Sequence, residues 1–240
     1  MPRTWDNNAR IRANQIDSGL DLTFSKVFVP FFRDVLGKQE LKTVLEVGGG
    51  TGHLARELAA LVGQYVLIEP SIGMYLVARE TLESSDVELY NQTVEEFSNF
   101  DRRFDLVLSH LCMQVVPNIS SFLNALASTL TPSGAYLLSL PHPAFYNDYK
   151  RFFSRDSFSY MEVRAATVSF TVTLDPNTPI EGVLYHHRPI STYIAALSDA
   201  GLVVSSFVEI YPSHQIQDLY GAPWLTPRYL VLGGSRRADE

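Results

Sequence analysis

The chain predicts an α/β fold built on a mostly parallel sheet, and three observations carry that prediction. Short apolar runs alternate with helical patterns through the middle of the 240 residues. The first run, Thr43-Val44-Leu45-Glu46-Val47, empties into the glycine-rich turn Gly48-Gly49-Gly50-Thr51-Gly52. A second run, Tyr65-Val66-Leu67-Ile68, ends in an acid, Glu69. Alternating strand and helix patterns are the signature of parallel strands joined by helical crossovers.

The elements follow in order. Strands are expected at 43–47, 65–69, 87–91, 104–110 and 134–140, and helices at 52–62, 72–83 and 119–129. Leu54, Leu58, Leu61 and Val62 recur at helical spacing on one face. Ser71 can cap the second helix, and Asn118 or Ser120 the third. Pro132-Ser133-Gly134 marks a turn into the fifth strand. A further helix runs from Tyr193 to Ala200 with Gly201 as its stop, and 203–211 and 228–233 complete the sheet.

Two regions fall outside this core. Residues 1–40 read as an N-terminal helical lid, with Pro30 breaking or starting a helix and Trp5 placed to close over a ligand. Residues 142–187 are too long for an ordinary connection and read as a cap over the substrate site. Within the cap, 163–174 and 180–187 pair as a hairpin across Asp175-Pro176-Asn177-Thr178-Pro179. The remaining divisions are a core at 41–141 and its C-terminal part at 188–240.

Composition narrows the function classes. A net charge of −7, with no Lys/Arg run longer than a pair, argues against a nucleic-acid partner. No apolar run reaches the roughly 20 residues of a membrane span, so no membrane partner is expected. No hydrophobic signal core follows Met1-Pro2-Arg3, and Cys112 is the lone cysteine, read as an inert buried thiol; both point to the cytoplasm. The six histidines lack metal-ligand spacing, so no metal is expected.

The glycine turn can bring a ligand close to the backbone and leave N–H groups bare for it. A G-x-G-x-x-G dinucleotide fingerprint fits only formally, from Gly50 to Ala55, too far into the helix. Glu46 to Gly52 reads instead as E-x-G-x-G-x-G. This resembles the first motif of class I S-adenosylmethionine-dependent methyltransferases. Phe104-Asp105-Leu106-Val107-Leu108-Ser109 resembles their fourth motif, and Tyr185 to Gly201 is similar to bacterial small-molecule methyltransferases of secondary and cofactor metabolism. The likeness runs from about residue 20 to 233 and is specific in the first motif, looser elsewhere. Gly49 stands where another small residue is frequent, and Glu69 where Asp is also common.

The resemblance implies a Rossmann-like class I fold with seven strands in the order 3-2-1-4-5-7-6, the last antiparallel. It implies S-adenosyl-L-methionine as cofactor, with S-adenosyl-L-homocysteine as product. Glu46 suits the ammonium group, the N–H groups around Gly48, Gly50 and Gly52 the carboxylate, and Glu69 the ribose hydroxyls. Pro70 follows Glu69, and Met74 can lay its thioether on the adenine face. Thr93, Val94 and Glu95 fall where the family holds the adenine amino group, and Ser109 and His110 end the strand beside the sulfonium.

A hydroxyl acceptor needs a base near neutral pKa, and histidine supplies one. The order of preference is His187, His142, then His110. Phe145, Tyr146, Tyr149, Tyr185 and Met113 are expected to wall a small-molecule acceptor. The expected enzyme is thus a small-molecule O- or N-methyltransferase, monomeric or homodimeric. A non-catalytic nucleoside-binding module and a nicotinamide-dependent oxidoreductase remain alternatives.

Overall fold

The computed structural model describes residues 4–237. Its sheet contains β1 (Thr43–Val47), β2 (Gln64–Ile68), β3 (Glu88–Tyr90), β4 (Phe104–His110) and β5 (Leu130–Pro141). A separate two-stranded hairpin follows, β6 (Arg164–Val172) and β7 (Asp175–His187), and then β8 (Leu202–Ile210) and β9 (Tyr229–Arg236). The sheet order is β3-β2-β1-β4-β5-β9-β8. Setting the hairpin aside, this is the 3-2-1-4-5-7-6 order expected. β9 pairs antiparallel with both β5 and β8.

The chain clusters into two compact units. The first holds residues through Thr93 with Ser169–Val183 and Pro212–Pro223; the second holds Val94–Val168, Leu184–Tyr211 and the chain from Trp224 on. The expected cap at 142–187 is therefore divided, its hairpin tip belonging to the first unit and its aromatic part to the second.

In the first unit, β1 and β2 are parallel and in register from Thr43↔Gln64 to Val47↔Ile68. Val44, Leu45, Val66 and Leu67 are fully buried, as near-continuous apolar runs require in a parallel sheet. Leu45→Ala would cost about 2–5 kcal/mol of stability. Helix α1 (Thr4–Asp17) packs on α4 (Ile72–Thr81), where a Cβ on Gly73 would lie 2.4 Å from the Asp6 Cα. Trp5 packs against the cluster of Ala9, Ala13, Met74 and Val77. Asn8 exchanges hydrogen bonds with the Glu181 backbone, tying α1 to β7. A π-helical turn (Thr23–Phe28) leads into α2 (Val29–Leu36), with Pro30 in its first turn. Val29, Phe32 and Leu36 form its buried stripe.

Helix α3 (His53–Leu58) follows the glycine turn and is shorter than expected. The chain tightens to a 3₁₀ turn at Ala59–Leu61, which leaves Leu61 41% exposed. Ser71 caps α4 by accepting from the Met74 N–H.

In the second unit, α5 (Val94–Phe97) precedes β4, and α6 (Ile119–Ser128) is capped by Asn118, whose side chain accepts from Ser121 N at 3.0 Å. Its buried residues Ile119, Phe122, Leu123, Leu126 and Ala127 follow the helical period. β5 begins at Leu130, earlier than expected. Its register against β4 shifts between the Phe104↔Leu130 and Leu106↔Ala135 pairs, so the Pro-Ser-Gly signal marks an irregularity inside a strand. Short α7 (Tyr146–Lys150) follows, and α8 (Ile190–Asp199) starts three residues before Tyr193 and ends ahead of Gly201 at φ +72°.

The hairpin turn is not where the proline signal put it. β6 ends at Val172 and β7 begins at Asp175, so Thr173 and Leu174 turn the chain. Pro176 and Pro179 lie within a strand, tolerated because each strand of a two-stranded sheet is an edge. Short α9 (His214–Asp218) had no expectation. Among the described residues, no helix is long and apolar enough to cross a membrane.

Candidate functional site

The carboxyl ends of β1 and β2 build the candidate site of the first unit. Gly48, Gly50 and Gly52 all take positive φ, and a Cβ on Gly49 would lie 2.4 Å from the Leu67 side chain. A Cβ on Gly50 would meet no atom within 4 Å, so this glycine borders open space. The loop can therefore be approached closely.

Its amides are not bare, which corrects the sequence expectation. Gly48 and Gly49 donate to Ile68 O at 2.9 and 3.2 Å, extending the pairing of β1 with β2. Gly52 N donates to Gly49 O at 3.1 Å, and Gly50 N to Glu69 Oε2 at 2.8 Å. The glycines provide room more than donors.

Two acids lie beside that room. Glu46 is 1% exposed and accepts from the Tyr65 hydroxyl at 2.8 Å. Burial lifts its pKa to about 8, which the Tyr65 bond opposes and the charge of Glu69 reinforces. Glu69 accepts from Gly50 N and, through Oε1, from Ser71 N at 2.8 Å. Burial raises it to about 7; the two amides oppose this, and Asp6 adds to it. Asp6, which sequence reasoning passed over, accepts from Ser71 Oγ at 2.6 Å and Gly73 N at 3.0 Å. Here negative charge is crowded and enclosed.

The other candidate residues of the first unit sort as follows. Pro70 is half-buried, and Met74 is 4% exposed within the α1–α4 cluster. Asn91 donates to Glu69 O at 2.8 Å. Among the described residues, the Gln92 carbonyl Oε1 is buried with no hydrogen-bond partner. Gln92 precedes half-buried Thr93 and had drawn no attention, because a neutral amide adds nothing to a charge pattern.

The second unit holds the histidines. Val94 is buried and Glu95 half-buried on α5, and Ser109 is fully buried near the end of β4. Ser139 Oγ accepts from Leu111 N at 3.1 Å and is hydrogen-bonded to His110 Nδ1 at 2.7 Å. Leu111 holds φ +50°, a strained setting for a non-glycine residue immediately after His110.

His142 has both nitrogens engaged: Nδ1 accepts from Ala144 N at 3.2 Å and Nε2 faces Glu209 Oε1 at 3.0 Å. His187 differs. Its Nε2 donates to Tyr160 O at 2.9 Å, which leaves the lone pair on Nδ1. Burial is the main cause that lowers both pKa values, so both rings stay neutral at physiological pH.

The aromatic candidates gather around these rings. Phe145 stacks on His142 at 4.5 Å between centroids. Tyr146 meets Tyr149, Tyr185 and Tyr229 at 5.8, 6.3 and 5.6 Å. Phe158 sets an edge on His187 at 4.8 Å. Arg228, unmarked by the sequence, lies over Tyr149 at 3.8 Å and Trp224 at 4.3 Å. Met113 is fully buried, and Cys112 is half-buried. Among the described residues no cluster of three or more His, Cys, Asp or Glu could hold a metal.

Comparison with known proteins agrees with this geometry. Residues 44–134 match the family model described as a methyltransferase domain. The ubiquinone biosynthesis O-methyltransferase of Azorhizobium caulinodans is 30% identical over 98 residues, 40% of this chain and 39% of that protein. The ubiquinone/menaquinone biosynthesis C-methyltransferase of Vibrio vulnificus is 28% identical over 123 residues, 48% of this chain and 47% of that protein. The chain thus spans less than half the length of the curated relatives it matches. A crystal structure from Clostridium acetobutylicum, described as an S-adenosylmethionine-dependent methyltransferase, covers 97% of this chain and 99% of its own. With a TM-score of 0.67 and 16% identity, it is a likeness of fold.

Proposed function

We propose that the protein, whose residues 44–134 match a methyltransferase-domain model, is a class I S-adenosylmethionine-dependent methyltransferase that moves a methyl group from S-adenosylmethionine to a small-molecule acceptor. The acceptor atom is oxygen or nitrogen, and the acceptor belongs to secondary or cofactor metabolism. The observation that carries the reading is the enclosed pair Glu46 and Glu69, whose pKa values burial raises to about 8 and about 7. Enclosed acids such as Glu46 and Glu69, which form no ion pair among the described residues, suit a ligand that brings a cation.

The residues present fit that donor. When bound, it supplies an electrophilic methyl group on a positively charged sulfur. Glu46 would hold the ammonium group and Glu69 the ribose hydroxyls, in exchange for its bond to Gly50 N. Gly48, Gly50 and Gly52 give the backbone its close approach. The buried, partnerless Gln92 Oε1 suits the adenine amino group, with Thr93, Val94 and Glu95 next along the chain. Pro70, Met74 and Ser109 complete the proposed cofactor set.

His187 is the preferred base, because its Nδ1 lone pair can accept the proton of a hydroxyl acceptor while Nε2 stays on Tyr160 O. His142 would first have to give up its bond from Ala144 N, and His110 has its Nδ1 tied to Ser139 Oγ. Phe145, Tyr146, Tyr149, Tyr185 and Met113 remain the proposed acceptor walls. Holding the acceptor in line and excluding water can supply roughly 7–11 kcal/mol of barrier lowering.

Isothermal titration calorimetry tests the reading. S-adenosylmethionine and S-adenosylhomocysteine are expected to bind below millimolar concentration; NAD binding in their place would refute it.

A further inference from the structure

In the second unit, the arginine just before α8 is buried at 4% exposure. Arg188 donates from Nη1 to Met113 O at 3.2 Å and from Nη2 to Val116 O at 2.5 Å and Pro117 O at 3.0 Å. The Tyr193 hydroxyl is also hydrogen-bonded to it. Among the described residues, no carboxylate forms an ion pair with it. Three carbonyl dipoles and a phenol soften a buried positive charge, but they do not neutralise it.

Two neighbouring polar atoms lack partners among the described residues. His186 Nε2 and Gln114 Oε1 are buried without hydrogen bonds. Gln114 follows Met113, whose carbonyl Arg188 holds, and its Nε2 donates to Leu111 O at 2.5 Å, which fixes the direction of Oε1. His186 lies two residues before Arg188 and feels its charge; burial first, then that charge, lowers the ring's pKa. The turn directly follows β4, at the carboxyl end of a strand, where open α/β sheets bind ligands. Buried polar groups are normally satisfied, so two orphans beside an uncompensated cation call for a partner.

We propose that Arg188, His186 and Gln114 recognise an anionic group of the methyl acceptor, a carboxylate with a hydroxyl or amide N–H beside it. The inference rests on the methyl-transfer reading and deepens it. The carboxylate balances the guanidinium and takes a hydrogen bond from His186, and the adjacent donor satisfies Gln114 Oε1. Charge-assisted bonds of this kind are the strong ones.

The test uses the full chain saturated with S-adenosylhomocysteine. A panel of hydroxybenzoic and amidobenzoic acids, each paired with its uncharged methyl ester, is titrated by calorimetry. At least one acid is expected to bind ten-fold or more tighter than its ester. Arg188→Met should erase that difference. His186→Phe removes no hydrogen bond, so it should leave melting temperature unchanged or higher while weakening the acid about ten-fold. The inference is overturned if no acid outperforms its ester, or if His186→Phe leaves acid affinity intact. Failure of S-adenosylhomocysteine itself to bind would instead remove the methyl-transfer reading.

Discussion

The two units bury charge of opposite sign. Around the glycine turn, Glu46, Glu69 and Asp6 crowd negative charge, and the first two are pushed toward their protonated forms. In the second unit Arg188 is enclosed as a cation, and the nearby histidines are held neutral. An isolated protein gains nothing from either arrangement, since burying an uncompensated charge opposes folding. The contrast teaches that the first unit suits a positively charged ligand and the second a negatively charged one. A cationic methyl donor and an anionic acceptor answer both demands.

Breaking the acidic side should have the largest effect. Glu69→Ala is expected to weaken S-adenosylhomocysteine more than 100-fold by calorimetry, a loss of more than about 2.8 kcal/mol at 1.4 kcal/mol per decade. Less than a five-fold change would separate Glu69 from the site.

The histidines sharpen the comparison within the second unit. His187→Asn is expected to lower kcat by about 10²- to 10³-fold with cofactor affinity unchanged, as for loss of a general base. His142→Asn should mainly lower the melting temperature, because both ring nitrogens serve the fold. If kcat falls only in the His142 variant, the roles are reversed.

The smallest expected effect is at Gln92. Gln92→Leu should weaken S-adenosylhomocysteine about five- to ten-fold and leave thermal stability unchanged or raised. Removing a buried acceptor that lacks a partner relieves a desolvation cost. A marked fall in melting temperature would contradict that placement.

The frame of this fold was legible because its signals are local. The run from Thr43 to Gly52 and the acid at Glu69 need no tertiary information, and the sheet order followed from the family those residues resemble. The hairpin turn was misplaced because Asp175 to Pro179 imitates a loop, and edge strands tolerate its prolines. The glycine amides read as bare because their acceptors, Ile68 O and Glu69, arrive from another strand. Arg188 and Gln92 escaped notice for a related reason. Their interest lies in burial and missing partners, which only packing creates.

Proton linkage tests the acid pair most directly. Both carboxyl pKa values are raised above the usual 4.5, so these groups favour the folded ligand-free protein most at low pH, and that contribution fades as pH rises through 7 to 8. A bound cation should pull both values down and expel protons. S-adenosylmethionine titrated near pH 7.5 in buffers of different ionisation enthalpy is expected to release protons, with affinity rising from pH 6 to 8.5. Binding without proton release, and with no dependence on pH, would contradict the account.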